Sequence, residues 1–427
     1  MRRLAAVVLV AACNGTPPSA VSNGSAAPIA TVDKHAGSGA PVSVAAATAS
    51  LKSGNLLEGG VKPHHEEQVV ECPAKVADTL DDDSKVTALL DEANKQIEAG
   101  VFGAAWTCAD RAADLSPTSV EAHHLRGAAL AALGRDAEAA TAYSLALALD
   151  PDDPETLRAV ADFYINGKGE RGRDALRLGL ELAQRGSRRA LARRRRNVPL
   201  AADLAVLEAQ ALNDLGRSDE ALERIDAALR IAPGRGDALH EKGVALFDLS
   251  RFADAKGAFQ KALGIQPDDA YTHQMLGLTL EQLGDPAADS ELARAVKLAP
   301  AELTPPVLIS KAEFQKEIDA VIATLSPERR TRVSQIKVEI EDLPLEEDLK
   351  AVTPPFPPTI LGLYRGPVGR APAPDDEPSS IVLYRKNLAR AVKTRVELTE
   401  QIRDTLLHEI GHLEGLDEDD LRRRGME

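Results

Sequence analysis

The sequence predicts a mainly α-helical protein in which a helical-repeat solenoid precedes a small α+β domain. Three observations lead to this fold class. Small residues and prolines recur every 34 residues through the middle of the chain. From about residue 303 this period is lost, and short stretches of alternating apolar residues replace it. Near the C-terminus a helical pattern carries the sequence His408-Glu409-Ile410-Gly411-His412.

The first thirteen residues have the pattern of a secretory signal. Arg2 and Arg3 precede the apolar run from Leu4 to Ala12, and Cys13 follows two alanines. The run ending in Cys13 resembles the lipobox of bacterial lipoproteins, which implies cleavage before this cysteine and its acylation. About nine apolar residues cannot cross a hydrocarbon layer of roughly 30 Å, so a transmembrane anchor is not expected. The sequence thus predicts an exported bacterial lipoprotein, anchored at the periplasmic face or the cell surface; an ordinary N-terminal coil with a chance cysteine is the alternative.

The next segment, residues 14–84, is predicted to be a flexible tether. As far as about residue 60 it is rich in Ala, Ser, Gly, Pro and Thr, so it cannot bury enough apolar surface to fold. Cys72 lies in this segment and Cys108 follows it. Outside the cytoplasm these cysteines can form a disulfide that ties the segment to the first repeat. A free core thiol is the alternative for Cys108.

The middle of the chain, residues 85–302, repeats with a period of 34 residues, which separates Pro117 from Pro151 and Pro233 from Pro267. Small residues at fixed places in each period let paired helices approach closely. Two units resemble the tetratricopeptide repeat at Gly127, Ala139, Ala146 and Pro151, and at Gly243, Ala255, Ala262 and Pro267. About six units are predicted, at 86–119, 120–153, 154–187, 202–235, 236–269 and 270–302. The resemblance implies a curved solenoid whose concave face binds a protein or peptide partner.

The charge balance argues against nucleic acid as the main partner. The chain has 66 acidic and 51 basic residues, a formal net charge of −15, which repels a polyanion. The partners expected are therefore a protein or peptide substrate, a protein on the solenoid, and a membrane reached through the lipid anchor.

The last part of the chain, residues 303–427, is predicted to form a compact α+β domain. A helix is expected over residues 311–325. Alternating apolar residues predict a strand over residues 335–341, and short strands are expected at 360–364 and 381–384.

The motif near the C-terminus predicts a metal site on a helix. Residues four apart lie on one helical face, so His408 and His412 can both bind one metal ion. Glu409, beside the first of these ligands, can take a proton from metal-bound water. Together the three residues are typical of a zinc-dependent hydrolase, with Glu409 as the catalytic base and Zn²⁺ as the cofactor.

A third protein ligand is expected after the turn at Gly415, because catalytic zinc usually has three protein ligands and one water. Glu418 is preferred by its spacing, and Asp417 and Asp419 are close rivals. These acidic residues have another explanation, since carboxylates after a glycine also cap a following helix.

In full, the segment reads H-E-x-x-H-x-x-G-x-x-E and resembles the metzincin pattern, with Glu418 in the place of the third histidine. Residues from about 314 to 421 are similar to a small bacterial family of zincin-like metallopeptidases. The resemblance rests on four blocks in order: 338–344, 362–366, 381–385 and 405–412. The expected fold is thus a tetratricopeptide-repeat α-solenoid followed by a small α+β zincin-like domain.

These expectations describe a zinc metallopeptidase that hydrolyses peptide bonds and recruits partners through its solenoid. An oxyanion stabiliser is also needed, and either Tyr364 or Tyr384 can supply it, although a structural tyrosine is the simpler explanation for both. The alternative function is a non-catalytic scaffold lipoprotein with a silent or metal-stabilised zincin-like domain. Glu409 favours the enzyme, because a scaffold does not need a general base.

Overall fold

The structure, a computed structural model, describes residues 5–7, 70–74, 76–77, 79–167, 172–192, 197–366, 378–416 and 418–423. Cys13 and most of the predicted signal lie outside these residues. Ala5–Val7 forms a short strand, β1, which is described with the C-terminal domain below.

Twelve helices of the described chain form six consecutive hairpins, in agreement with the predicted solenoid. They are α1 (Asp82–Glu98), α2 (Phe102–Leu115), α3 (Val120–Ala132), α4 (Asp136–Leu149), α5 (Pro154–Asn166), α6 (Arg173–Ala190), α7 (Val198–Asp214), α8 (Ser218–Ile231), α9 (Gly236–Asp248), α10 (Phe252–Ile265), α11 (Ala270–Gln282) and α12 (Ala288–Leu298). Close approach within a hairpin depends on small residues. A Cβ at Gly243 would lie 2.4 Å from the ring of Phe259, so only glycine fits there.

The folded region begins before residue 85, inside the segment predicted as tether. Cys72 and Cys108 are joined by a disulfide. Thr107 donates a hydrogen bond of 2.7 Å to the carbonyl oxygen of Val70, and Cys72, Ala74 and Val76 pack against the core of the first hairpin. The sequence before the first repeat is therefore attached to it, because apolar residues and one cysteine interrupt the polar composition.

The C-terminal domain combines helices with a small sheet. Its elements are α13 (Lys311–Thr324), α14 (Pro327–Val333), β2 (Lys337–Glu341), α15 (Glu346–Leu349), β3 (Gly362–Arg365), β4 (Ser380–Tyr384), α16 (Arg385–Arg390), α17 (Arg395–Leu413) and α18 (Glu418–Arg423). The strand order is β1-β3-β4-β2. β2 pairs parallel with β4, whereas β3 pairs antiparallel with both β4 and β1.

The two faces of this sheet are covered by different parts of the chain. Ile381 and Leu383 point to one face and share a buried cluster with apolar residues of α13 and α17. Val382 and Tyr384, which alternate with them, share a cluster with Phe247 and other residues of the last solenoid hairpins. Residues of the solenoid therefore contribute to the buried cluster on the second face of the sheet.

Among the described residues, no helix combines the length and the apolar character that crossing a membrane requires.

Candidate metal centre

Helix α17 carries the motif, and its local sequence explains where it begins. Thr394 caps the helix: its hydroxyl accepts a hydrogen bond from the backbone N–H of Glu397, whose carboxylate in turn accepts from the N–H of Thr394. Leu398, Ile402 and Leu406 are fully buried on the side facing the sheet. This apolar stripe fixes the rotation of the helix, so its last turns carry the motif into the interior.

The imidazole rings of His408 and His412 lie close together in the interior of the domain. His408 is 1% exposed and His412 is 2% exposed, and their Nε2 atoms lie 3.0 Å apart. Two Zn–N bonds of about 2.0–2.1 Å at a tetrahedral angle place the nitrogens roughly 3.4 Å apart. The observed separation is close to this value, so one zinc ion fits between the two rings after a small adjustment.

The end of the helix sets the tautomer of His412. The backbone turns at Gly415, which has φ of +84°, and the N–H of Leu416 donates to the carbonyl of Gly411. This turn brings the carbonyl oxygen of Leu416 within 3.0 Å of Nδ1 of His412. A carbonyl only accepts, so Nδ1 carries the proton and Nε2 presents its lone pair for a metal. The predicted stop at Gly415 thus also orients the ring of His412, a role that the glycine alone does not indicate in the sequence.

Glu409 is enclosed between α17 and β3. Its side chain is fully buried, and a Cβ placed on Gly362 would lie 3.1 Å from its Oε1 atom and 2.7 Å from Cγ2 of Thr405. The bare glycine backbone therefore makes room for the carboxylate at this point of the sheet. Gly362 belongs to one of the four blocks that carry the family resemblance, where it had no predicted role; its lack of a side chain is the signal that could have revealed one.

The third ligand stays a prediction. Glu418 is the first residue of α18, and fully buried Leu421 anchors that helix. The side chains of Asp417, Glu418 and Asp419 lie outside the described part of the chain. Within that part, no three His, Cys, Asp or Glu side chains are grouped as a metal site. The structure thus brings the two predicted histidine ligands together and buries the predicted base on the same helix.

Neither candidate tyrosine is placed as an obvious oxyanion stabiliser. The hydroxyl of Tyr364 donates to Oγ of Ser379 over 3.1 Å, and that of Tyr384 points to Oδ2 of Asp348 at 3.4 Å. Burial raises the pKa of Tyr384 far above its usual range, and the negative charge of Asp348 adds to this effect. The Tyr384 hydroxyl therefore stays protonated, and both hydroxyls have side-chain partners other than the histidines, which agrees with structural roles.

The solenoid is joined to this domain by a buried ion pair as well as by apolar contacts. Glu281, near the end of α11, has a side chain that is 5% exposed. Its carboxylate lies 2.9 Å from Nζ of Lys386 and also pairs with Arg390, both on α16. Because α16 directly precedes α17, this ion pair attaches the solenoid to the segment that leads into the helix with the two histidines.

Comparisons with known proteins agree with this architecture. Residues 333–426 match a family model described as zincin-like metallopeptidase. Residues 120–153 and 240–302 match two models described as tetratricopeptide repeat. The chain combines tetratricopeptide repeats with a zincin-like metallopeptidase domain. Such a domain points to peptidase chemistry with zinc, and the repeats point to protein–protein interaction.

Two solved structures are similar to part of the chain. PilF of Pseudomonas aeruginosa is 15% identical, with a TM-score of 0.44, over 55% of this chain and 97% of its own. PilW, described as a widely conserved type IV pilus biogenesis factor, is 16% identical with a TM-score of 0.44, over 50% of this chain and 94% of its own. No curated protein matches the chain.

Proposed function

We propose that the chain is a zinc-dependent metallopeptidase that hydrolyses peptide bonds and recruits protein or peptide partners through its solenoid. One observation carries this proposal: the Nε2 atoms of His408 and His412 converge to 3.0 Å on the helix that also carries the fully buried carboxylate of Glu409. Two neutral imidazoles and a carboxylate that is not needed as a ligand match the donor set and the base of a hydrolytic zinc site.

Each residue has a separate task in this proposal. His408 and His412 would hold the ion, and Glu418 is the preferred third ligand. Zinc, when bound, supplies a Lewis acid that activates water near neutral pH and polarises a peptide carbonyl. Glu409 would accept a proton from the attacking water on a carboxylate oxygen and would then deliver it to the departing amine. The carbonyl of Leu416 keeps the proton of His412 on Nδ1.

Replacement of the base tests the enzyme against the scaffold. Glu409→Gln keeps the shape of the side chain and removes its basicity, so hydrolysis of fluorescein-labelled unfolded casein should fall at least ~10²-fold. Glu400→Gln is the matched control, because this exposed residue of the same helix lies far from the histidines. Equal hydrolysis by wild type and Glu409→Gln would refute the enzyme and leave the scaffold.

We further propose that the protein is exported and anchored as a lipoprotein through Cys13. The pattern of the first thirteen residues supports this, and so does the disulfide between Cys72 and Cys108, since such bonds persist in oxidising compartments. In a bacterial host, Cys13→Ser should move the protein from the membrane fraction to the soluble fraction. An unchanged distribution would contradict the lipid anchor.

A further inference from the structure

β3 is the strand of the C-terminal sheet that lies next to the proposed base. Its first residue is Gly362, where a Cβ would lie 3.1 Å from Oε1 of Glu409. β3 pairs with β4 on one side and with β1 on the other, and β1 forms that end of the sheet. Val7 is paired with Gly362, and Ala5 is paired with Tyr364. β1 also contacts α17, the helix that carries the two histidines.

The hydrogen bonds between β3 and β4 show which backbone groups of β3 face β1. The N–H of Tyr384 donates to the carbonyl oxygen of Leu361 over 2.9 Å. In an antiparallel pair, successive residues alternate between facing the partner strand and facing away from it. Leu361 and Leu363 therefore turn their polar backbone groups to β4. Gly362 and Tyr364 turn theirs to β1.

The outer edge of β3 lacks the charges that commonly protect an edge strand from pairing. β2, at the other end of the sheet, carries Lys337, Glu339 and Glu341. The residues of β3 that β1 covers, Gly362 to Tyr364, carry no charge. This edge is therefore suited to receive a further strand, and β1 is the strand that it receives.

β1 belongs to the segment that the proposed maturation removes. Cleavage before Cys13 would release residues 1–12, which we call the leader, and β1 (Ala5–Val7) lies within it. Residues 8–69 connect β1 to Val70, where the chain is attached to the first hairpin. A segment of this length spans up to roughly 200 Å, which is enough to reach the C-terminal domain. Attachment to the same chain also raises the effective concentration of β1 towards the millimolar range, so that a short strand suffices.

We infer that β1 is an autoinhibitory strand: in the uncleaved chain it occupies the edge of β3 and blocks the candidate metal centre, and cleavage before Cys13 removes the block. Val7 and Gly362 form a hydrogen-bonded pair, so the backbone of Val7 lies about 5.5 Å from the residue that borders Glu409. An extended substrate cannot approach the base from this side while β1 is paired. The inference rests on the export and the peptidase activity proposed above.

Proline substitutions in the leader separate pairing from other effects. The full chain carries Cys13→Ser in every sample, so that the leader is retained. Ala5→Pro together with Val7→Pro removes the two N–H groups of β1 that face β3. Ala6→Pro is the matched control, because the N–H of Ala6 faces away from β3 and its loss removes no hydrogen bond of this pair.

Hydrogen exchange tests the pairing without any catalysis. Exchange is measured residue by residue, by mass spectrometry with electron-transfer fragmentation. The amides of Gly362 and Tyr364 should exchange at least about tenfold faster in the double proline variant than in the control, because the pair loses two hydrogen bonds. The amide of Leu363 faces β4 and should not change. Equal exchange of Gly362 and Tyr364 in the two variants would overturn the proposal.

Access to the metal tests the block. The zinc-loaded chain is mixed with the chelator 4-(2-pyridylazo)resorcinol, and transfer of zinc should be about tenfold faster in the double proline variant than in the control, in parallel with the hydrogen exchange. Faster exchange without faster zinc transfer would show that β1 pairs but does not block, and the proposal fails.

Hydrolysis of labelled casein separates this inference from the proposed function. It should rise in the double proline variant by the same factor as the zinc transfer. Absence of hydrolysis in all variants would refute the proposed peptidase, and the exchange and zinc-transfer rates would still decide whether β1 pairs and blocks.

Discussion

Adding one methyl group to Gly362 should disturb the candidate metal centre by steric contact alone. The new Cβ would lie 2.7 Å from Cγ2 of Thr405, 3.1 Å from Oε1 of Glu409 and 3.3 Å from the carbonyl oxygen of Val382. Carbon atoms in contact are normally about 3.5–4.0 Å apart, so the helix must retreat by about 1 Å. Overpacking of this kind typically costs about 1–3 kcal/mol.

The same displacement moves the proposed base. Misplacing a catalytic group by about 1 Å can lower the rate by about 10²-fold, and we expect a loss of that size for Gly362→Ala. Hydrogen exchange of the α17 amides measures the local loss of stability directly. Fluorescence of the single tryptophan, Trp106, does not serve here, because it lies in α2 of the first hairpin.

Two further variants test whether the effect of Gly362→Ala is steric. Gly257→Ala is the control, since a Cβ there meets nothing within 4 Å and alanine favours the helix. Thr405→Ser removes the methyl group that the new Cβ strikes, so adding it to Gly362→Ala should restore part of the protection and activity. Wild-type protection and activity in Gly362→Ala would refute the steric argument.

Three further predictions concern the rest of the chain. Glu281→Gln should weaken the attachment of the solenoid to the zincin-like domain, and limited proteolysis should then cleave residues 299–310 faster than in wild type. An unchanged cleavage rate would show that the apolar contacts suffice for the attachment. Replacing Cys72 and Cys108 by alanine should destabilise the first hairpin by about 3–4 kcal/mol, from the 36-residue separation of the cysteines, in urea unfolding followed by tryptophan fluorescence. Burial raises the pKa of Glu241 and of Asp248 to about 7 in the folded state, so the folded state binds protons more tightly than the unfolded state. This contribution to stability is lost as the pH rises from about 4 to 7, and the unfolding temperature of wild type should fall over that range. The unfolding temperature of the variant with Glu241→Gln and Asp248→Asn should fall less than that of wild type.

The elements that the sequence predicted well are those encoded by local patterns. The 34-residue period marks the helical hairpins, and the apolar spacing before His408 predicts a helix that the structure places at Arg395–Leu413. The strand predicted at residues 335–341 is longer than the strand that forms. β2 begins at Lys337, later than predicted, and Ile336 and Val338 are only half-buried. The reason is that β2 is an edge strand, so one side of it lacks a neighbour.

Contacts between distant residues were not predictable in this way. Lys386 and Glu281 are 105 residues apart, and the local sequence around either residue does not indicate that they form an ion pair. The unbroken apolar run from Ile381 to Tyr384 indicates that both faces of the sheet are covered, but not that residues of the solenoid contribute to one of the two layers. The hydrogen bond between Nδ1 of His412 and the carbonyl oxygen of Leu416 could not be predicted, because a backbone carbonyl leaves no trace in a side-chain motif.

Zinc content tests the central claim most directly. The zinc content of the purified full chain is measured by elemental mass spectrometry. Wild type should contain one zinc ion per chain, and Glu409→Gln should contain the same amount because the proposed base is not a ligand. His408→Ala and His412→Ala should each lose the ion, since each removes one of the two converging Nε2 atoms. One zinc ion retained by either histidine variant would place the metal elsewhere and contradict the account.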